Sequence, residues 1–223
     1  SLLLDRQGDV VIELEVADIA GLPANWQWPE PVALKAADGQ TDIYGTVFRP
    51  TDFSPEKSYP VLDFSSFGDL MHVGSFGGRY DVGYVSYIAS AYAELGFIVV
   101  MLRARGSSLR SIAFRTDIDT PMYCAWHQDD CMAGILQLAE RYPYMDTERV
   151  GLGGYASPSS AITGILKYPD FYTVAVSSNS IPEIQLVWNG LGETTCTEQM
   201  PCEDFFDYDA LATHLSGKLL LII

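Results

Sequence analysis

The feature that most constrains the fold is an alternation of short, almost wholly apolar runs with stretches of helical periodicity. Val85, Ile88, Ala89, Tyr92 and Leu95 recur at helical spacing, Gly96 stops them, and Phe97 to Leu102 follows as an unbroken apolar strand. Cys131, Ile135, Leu138 and Tyr142 mark a second helix ending at Pro143, before a strand over Arg149 to Gly153. Ile162, Ile165 and Leu166 mark a third, ending at Pro169, before a strand over Tyr172 to Ser177. A last stripe, Tyr208, Leu211, Ala212 and Leu215, stops at Gly217 before Lys218 to Ile223. Strands apolar on both faces and separated by helices predict a doubly wound, mostly parallel α/β sheet.

Ahead of this unit, Val61 to Ser65 reads as a further short strand, and Val32 to Ala36 and Ile43 to Arg49 flank Asp38-Gly39. Asp-Gly is a strong turn signal, so the two runs are expected to pair as an antiparallel hairpin that makes the sheet mixed. Val11 to Glu15 reads as a strand in an entry segment over residues 1–30, leaving residues 31–223 as the main domain.

Composition excludes several functions. The chain carries 13 Lys and Arg against 29 Asp and Glu, a net charge of −16, which argues against nucleic acid and anionic membranes as partners. The longest apolar run, Phe97 to Leu102, falls far short of the roughly 20 residues of a membrane span, so no membrane insertion is expected. Cys196 and Cys202 bracket a polar loop that could close as a disulfide in an oxidising compartment; free thiols are the other reading, and the compartment stays undecided. His72, His127 and His214 are too dispersed for local metal-ligand spacing, so neither a metal nor a cofactor is expected.

The most unusual junction is Arg149-Val-Gly-Leu-Gly-Gly-Tyr-Ala-Ser-Pro-Ser-Ser160. Gly151-Leu-Gly153-Gly-Tyr-Ala156 fits a dinucleotide fingerprint, but the next strand ends in Ser177-Ser-Asn, without the acid that would hold a ribose. A nucleotide-binding α/β domain is therefore one alternative. The other reading is a nucleophile elbow over Gly154-Tyr155-Ala156-Ser157-Pro158, with alanine at the apex. In that elbow Ser157 presents its backbone N–H as an oxyanion donor; its side chain either caps the helix, with Pro158 at the first position, or is a nucleophile displaced by one residue, and capping is the favoured reading.

Several stretches resemble the catalytic domain of the prolyl oligopeptidase and dipeptidyl-peptidase IV family of serine peptidases. They are Ile43-Tyr-Gly-Thr-Val-Phe-Arg-Pro50, Tyr59-Pro-Val-Leu, Ala93-Glu-Leu-Gly-Phe-Ile-Val-Val100, Arg105-Gly106 with Arg110-Ser, Gln137-Leu-Ala-Glu-Arg-Tyr-Pro143, Met145-Asp-Thr-Glu-Arg-Val-Gly151 and Tyr168-Pro-Asp-Phe-Tyr172. The resemblance implies an α/β-hydrolase fold, a propeller-like domain preceding the entry segment, and cleavage of short peptides, often after proline.

Where the family has its serine, this chain has Ala156; where it has glycines after it, Pro158 and Ser159; where it has an oxyanion tyrosine, Ser66; and where its Asp-x-Arg-Gly turn begins, Arg103. The family's Asp and His follow a strand like Lys218 to Ile223, so the chain reads as truncated before them. The expectation is a catalytically silent domain, a pseudoenzyme whose partner is a peptide substrate or ligand, with homo-oligomerisation through an open sheet edge possible. An active serine peptidase bearing an engineered Ser-to-Ala knock-out is the alternative; it accounts for Ala156 but not for Ser66, Pro158 and Arg103.

Overall fold

Asp38 and Gly39 fold the chain back on itself as their pairing suggests. Gly39 adopts φ +70°, a conformation that costs glycine little. The Asp38 carboxylate accepts hydrogen bonds from the Thr41 hydroxyl (2.6 Å) and from the backbone N–H groups of Gln40 and Thr41 (2.8 Å each). These bonds, the Thr41 hydroxyl foremost, hold its pKa down to about 2. The turn joins β3 (Glu30–Lys35) to β4 (Asp42–Phe48), antiparallel, with Leu34 opposite Ile43. The computed structural model describes residues 2–16, 18, 20–65, 84–107, 110–116, 128–155, 160–178 and 212–222.

The rest is built from β5 (Tyr59–Asp63), α1 (Tyr84–Glu94), β6 (Ile98–Arg103), α2 (Ile112–Thr116), α3 (Gln128–Arg141), β7 (Met145–Tyr155), α4 (Ser160–Lys167), β8 (Val174–Ser178) and β9 (Lys218–Ile222), with described helices on the β5–β6, β6–β7 and β7–β8 connections. Among the described residues these strands form one seven-stranded sheet ordered β3-β4-β6-β5-β7-β8-β9. The five strands from β6 to β9 are parallel, and β4 joins β6 antiparallel.

Strand β6 shows why its sequence is continuously apolar. Ile98, Val100 and Leu102 enter the larger core with Ile135 and Leu138 of α3 and Ile162 and Ile165 of α4, whereas Val99 and Met101 pack with Ala89 and Ala93 of α1 on the other face. Alternate side chains thus serve opposite layers, and both are dry. The layers approach closely. A Cβ on Gly134 of α3 would lie 2.5 Å from Leu102 Cδ1, and one on Gly45 of β4 would lie 2.4 Å from the Met101 carbonyl oxygen.

Two details differ from the sequence reading, and a third falls largely outside the described residues. The first strand is β2 (Val10–Glu13), and it pairs antiparallel with an unanticipated β1 (Leu2–Leu4) in a separate two-stranded sheet. The connecting turn is organised by Asp5, whose Oδ1 accepts from Gln7 N and Asp9 N at 2.9 Å, and by Gly8 at φ +90°. Strand β7 starts at Met145, not Arg149, because an irregularity opposite Pro60 and Val61 lets Met145 and Asp146 pair before the chain bulges. In that bulge Asp146 accepts from Glu148 N (3.0 Å) and pairs with Arg149 (2.7 Å). Of the last helical stripe, Tyr208 and Leu211 lie outside the described residues; Ala212 is helical and the chain turns after it, with residues 212–215 exposed.

Candidate active site

Strand β7 lies between β5 and β8, and four residues separate its end at Tyr155 from the start of α4 at Ser160. Such a strand-turn-helix in a parallel sheet is where α/β proteins collect chemistry, at the carboxyl ends of the strands. Ala156, Ser157, Pro158 and Ser159 lie outside the described residues, as does Ser66 beyond β5. The nucleophile elbow and the Ser157 N–H read as an oxyanion donor therefore fall there too.

The flanks of the turn account for its glycines. Gly151 and Gly153 are strand residues, in register with Val174 and Val176 of β8. A Cβ on Gly153 would come within 2.8 Å of Phe64 Cδ2, and one on Gly164 of α4 within 2.3 Å of Leu152 Cδ2. These glycines let Phe64 and α4 close onto β7. In a dinucleotide fingerprint the glycines form the turn after the strand, where backbone meets pyrophosphate. Here Gly151 and Gly153 are inside the ladder, which counts against the nucleotide reading.

Beside β7, at the carboxyl end of β5, lies a buried polar cluster that the sequence did not single out. Asp63, last residue of β5, is fully buried and pairs in register with Leu152. Its Oδ2 accepts from Gln128 Nε2 (3.0 Å) and from the Tyr172 hydroxyl (2.8 Å), while Oδ1 accepts from Ser65 N (3.0 Å). The Ser65 hydroxyl also bonds the carboxylate and accepts from Leu102 N at 2.9 Å. Desolvation pushes the Asp63 pKa up, and the hydrogen bonds, which favour the charged form, offset it only in part. The neighbouring Cys131 thiol is buried and pushed well up by the same desolvation and by the Asp63 charge. The signal in the sequence was one acid, Asp63, inside the apolar run Tyr59-Pro-Val-Leu-Asp-Phe64.

A second carboxylate, Asp130 of α3, is also fully buried but has a cation. Arg105 grips it through Nε (3.0 Å) and an Nη (2.9 Å), and the backbone N–H groups of Arg105 and Ala37 add two further bonds at 3.0 and 2.9 Å. Arg105 also reaches Asp38 at 3.5 Å. The fork-shaped guanidinium thus joins the β3–β4 turn, the end of β6 and the start of α3. Gly106 follows at φ +86°, its N–H bonded to the Phe114 carbonyl.

The prolyl oligopeptidase family profile matches residues 84–214, more than half of the chain and the whole stretch across the elbow. The chain belongs to the prolyl oligopeptidase family. Among curated relatives, human dipeptidyl peptidase 8 is 29% identical over 167 residues, covering 73% of this chain and 18% of that protein. Its mouse counterpart is 28% identical over the same length. The chain therefore spans about a fifth of the relatives' length. Among solved structures, a Bacteroides ovatus chain assigned as a dipeptidyl aminopeptidase IV superposes with a TM-score of 0.66 at 23% identity, over 99% of this chain and 31% of that one. Porphyromonas gingivalis dipeptidyl peptidase 4 gives 0.64 at 19% identity, over 86% and 27%. These likenesses establish the α/β-hydrolase fold.

Within this prolyl oligopeptidase-family domain the remaining site residues fall as follows. Arg103 ends β6, and His214 is exposed after the turn at Ala212. His72, His127, Cys124, Cys196 and Cys202 lie outside the described residues, and with them the question of a Cys196–Cys202 bridge or free thiols. Among the described residues no group of three His, Cys, Asp or Glu side chains could hold a metal ion, and no helix is long and apolar enough to cross a membrane.

Proposed function

We propose that this domain is a prolyl oligopeptidase-family module that has lost peptide hydrolysis and keeps a peptide as its ligand. One observation carries the reading: the residue directly after β7, at the elbow between β7 and α4, is Ala156. A methyl group has no lone pair with which to attack a carbonyl and no proton for a base to remove. The packing around the turn supports an elbow kept for architecture, since Gly153 and Gly164 still make room for Phe64 and Leu152. The differences at Ser66, Pro158 and Arg103 favour natural loss over a single engineered change. The family's short peptides, often ending at proline, are the ligands proposed.

The test is fluorophosphonate labelling of the native protein, with hydrolysis of proline-containing dipeptide amides and a parallel binding titration. No label and no turnover, with saturable peptide binding, is the expected result. Turnover by the native sequence would overturn the loss of catalysis, and absence of peptide binding would overturn the ligand.

A further inference from the structure

Away from the β7–α4 junction, the connection between β2 and β3 and the outer side of α1 line a half-open pocket of about 490 Å³. Its walls include Trp26, Trp28 and Tyr87, with the carboxylates Asp18 and Glu94 and with Thr51 beside them. Trp26 and Trp28 meet edge to face, ring centroids 4.6 Å apart. Trp28 and Tyr87 are 58% and 57% exposed, so much of their surface faces solvent.

The pocket is preformed by polar ties. Asn25 Nδ2 donates to the Thr51 carbonyl at 2.7 Å, and the Thr51 N–H donates to Glu94 Oε1 at 2.9 Å, with the Thr51 hydroxyl on the same oxygen. The Trp26 N–H closes a turn onto the Pro23 carbonyl. Asp18 Oδ1 is engaged by Ala20 N. Both carboxylates are thus held by neutral donors, and among the described residues neither forms an ion pair.

Three aromatic rings, whose faces carry partial negative charge, line the pocket beside two carboxylates in a chain whose net charge is −16. A hard inorganic cation would keep its water and gain little from indole faces. A weakly hydrated cation with apolar flanks gains from both rings and charge. We propose that this cavity binds an organic cation with apolar substituents, as a free quaternary ammonium or as the guanidinium end of an arginine side chain. The site is separate from the elbow and is independent of whether the domain hydrolyses peptides.

The test titrates the protein with choline, with N-acetylargininamide, and with 3,3-dimethylbutanol, the neutral isostere of choline, reading calorimetry and indole fluorescence. Saturable binding of either cation is expected; choline alone identifies a free ammonium, and the arginine derivative alone a partner's side chain. The neutral isostere should bind about fivefold or more weakly, and Trp28→Ala should weaken the cation by a similar factor with circular dichroism unchanged. Glu94→Gln, which keeps an acceptor for Thr51, should weaken binding and reduce its salt dependence. Equal binding of isostere and cation, saturation unaltered by both substitutions, or no saturation with either cation would overturn the proposal.

Discussion

Tyr172, just before β8, donates its hydroxyl hydrogen to Asp63 at the end of β5, 2.8 Å away and 109 residues earlier in the chain. The two strands are not neighbours, for β7 runs between them. The bond therefore reaches across β7 and, with Gln128 of α3, forms a buried polar cluster beside that strand.

Removing that donor has a definite cost. Tyr172→Phe keeps the buried ring but deprives a carboxylate of one of its donors, and it should lower unfolding stability by about 1.5–3 kcal/mol. Urea denaturation at neutral pH measures it. A loss within error of zero would show that Asp63 is protonated and does not depend on the phenol.

The same carboxylate sets a pH dependence. Because burial raises the Asp63 pKa above its ordinary 3.8, the folded state holds its proton more tightly than the unfolded state. The associated stability is fully present below pH 3.8 and is lost as pH rises through the folded-state value. The difference in unfolding free energy between the native protein and Asp63→Asn should therefore shrink as pH rises from 3.8 through the raised folded-state value. A difference that grows with pH would reverse the sign assigned to Asp63.

Asp130 responds differently, because it has a cation. Arg105→Ala would leave a buried charge unpaired and should cost about 3–5 kcal/mol. Arg105→Lys, which cannot span both contacts, should recover less than half of that loss. Thermal melts of the three proteins compare them directly.

Gly45 tests the spacing between β4 and β6. A Cβ there would press on the Met101 carbonyl, which is backbone and cannot rotate away, and on Leu102 Cδ2 at 2.3 Å. Gly45→Ala should destabilise by about 1–3 kcal/mol or more. Hydrogen exchange should show the loss concentrated in β3 and β4.

Parts of this arrangement were legible because they are local. Asp38-Gly39 carries its own turn chemistry, and Gly96 terminates α1 at φ +96°, a conformation that favours glycine. The β6 run announces a strand covered on both faces. The β1–β2 hairpin was half missed because its side chains are all exposed, so no alternation marks Leu2–Leu4. The Asp63 cluster was missed because its partners are 65 and 109 residues distant, and only the folded sheet brings them together. At the elbow, Ala156 could be read from the sequence; the role of Gly153, making room for Phe64, could not.

The position of Cys131 beside this cluster gives the domain an internal clock. Its sulfur is 1% exposed, and its proton is held more tightly than that of a free thiol. An alkylating reagent needs a solvated thiolate, so in the closed domain it finds neither contact nor nucleophile. Each modification at Cys131, located by peptide mapping, then records a moment when α3 has parted from the sheet. Its rate over days in native buffer would count those partings without denaturant.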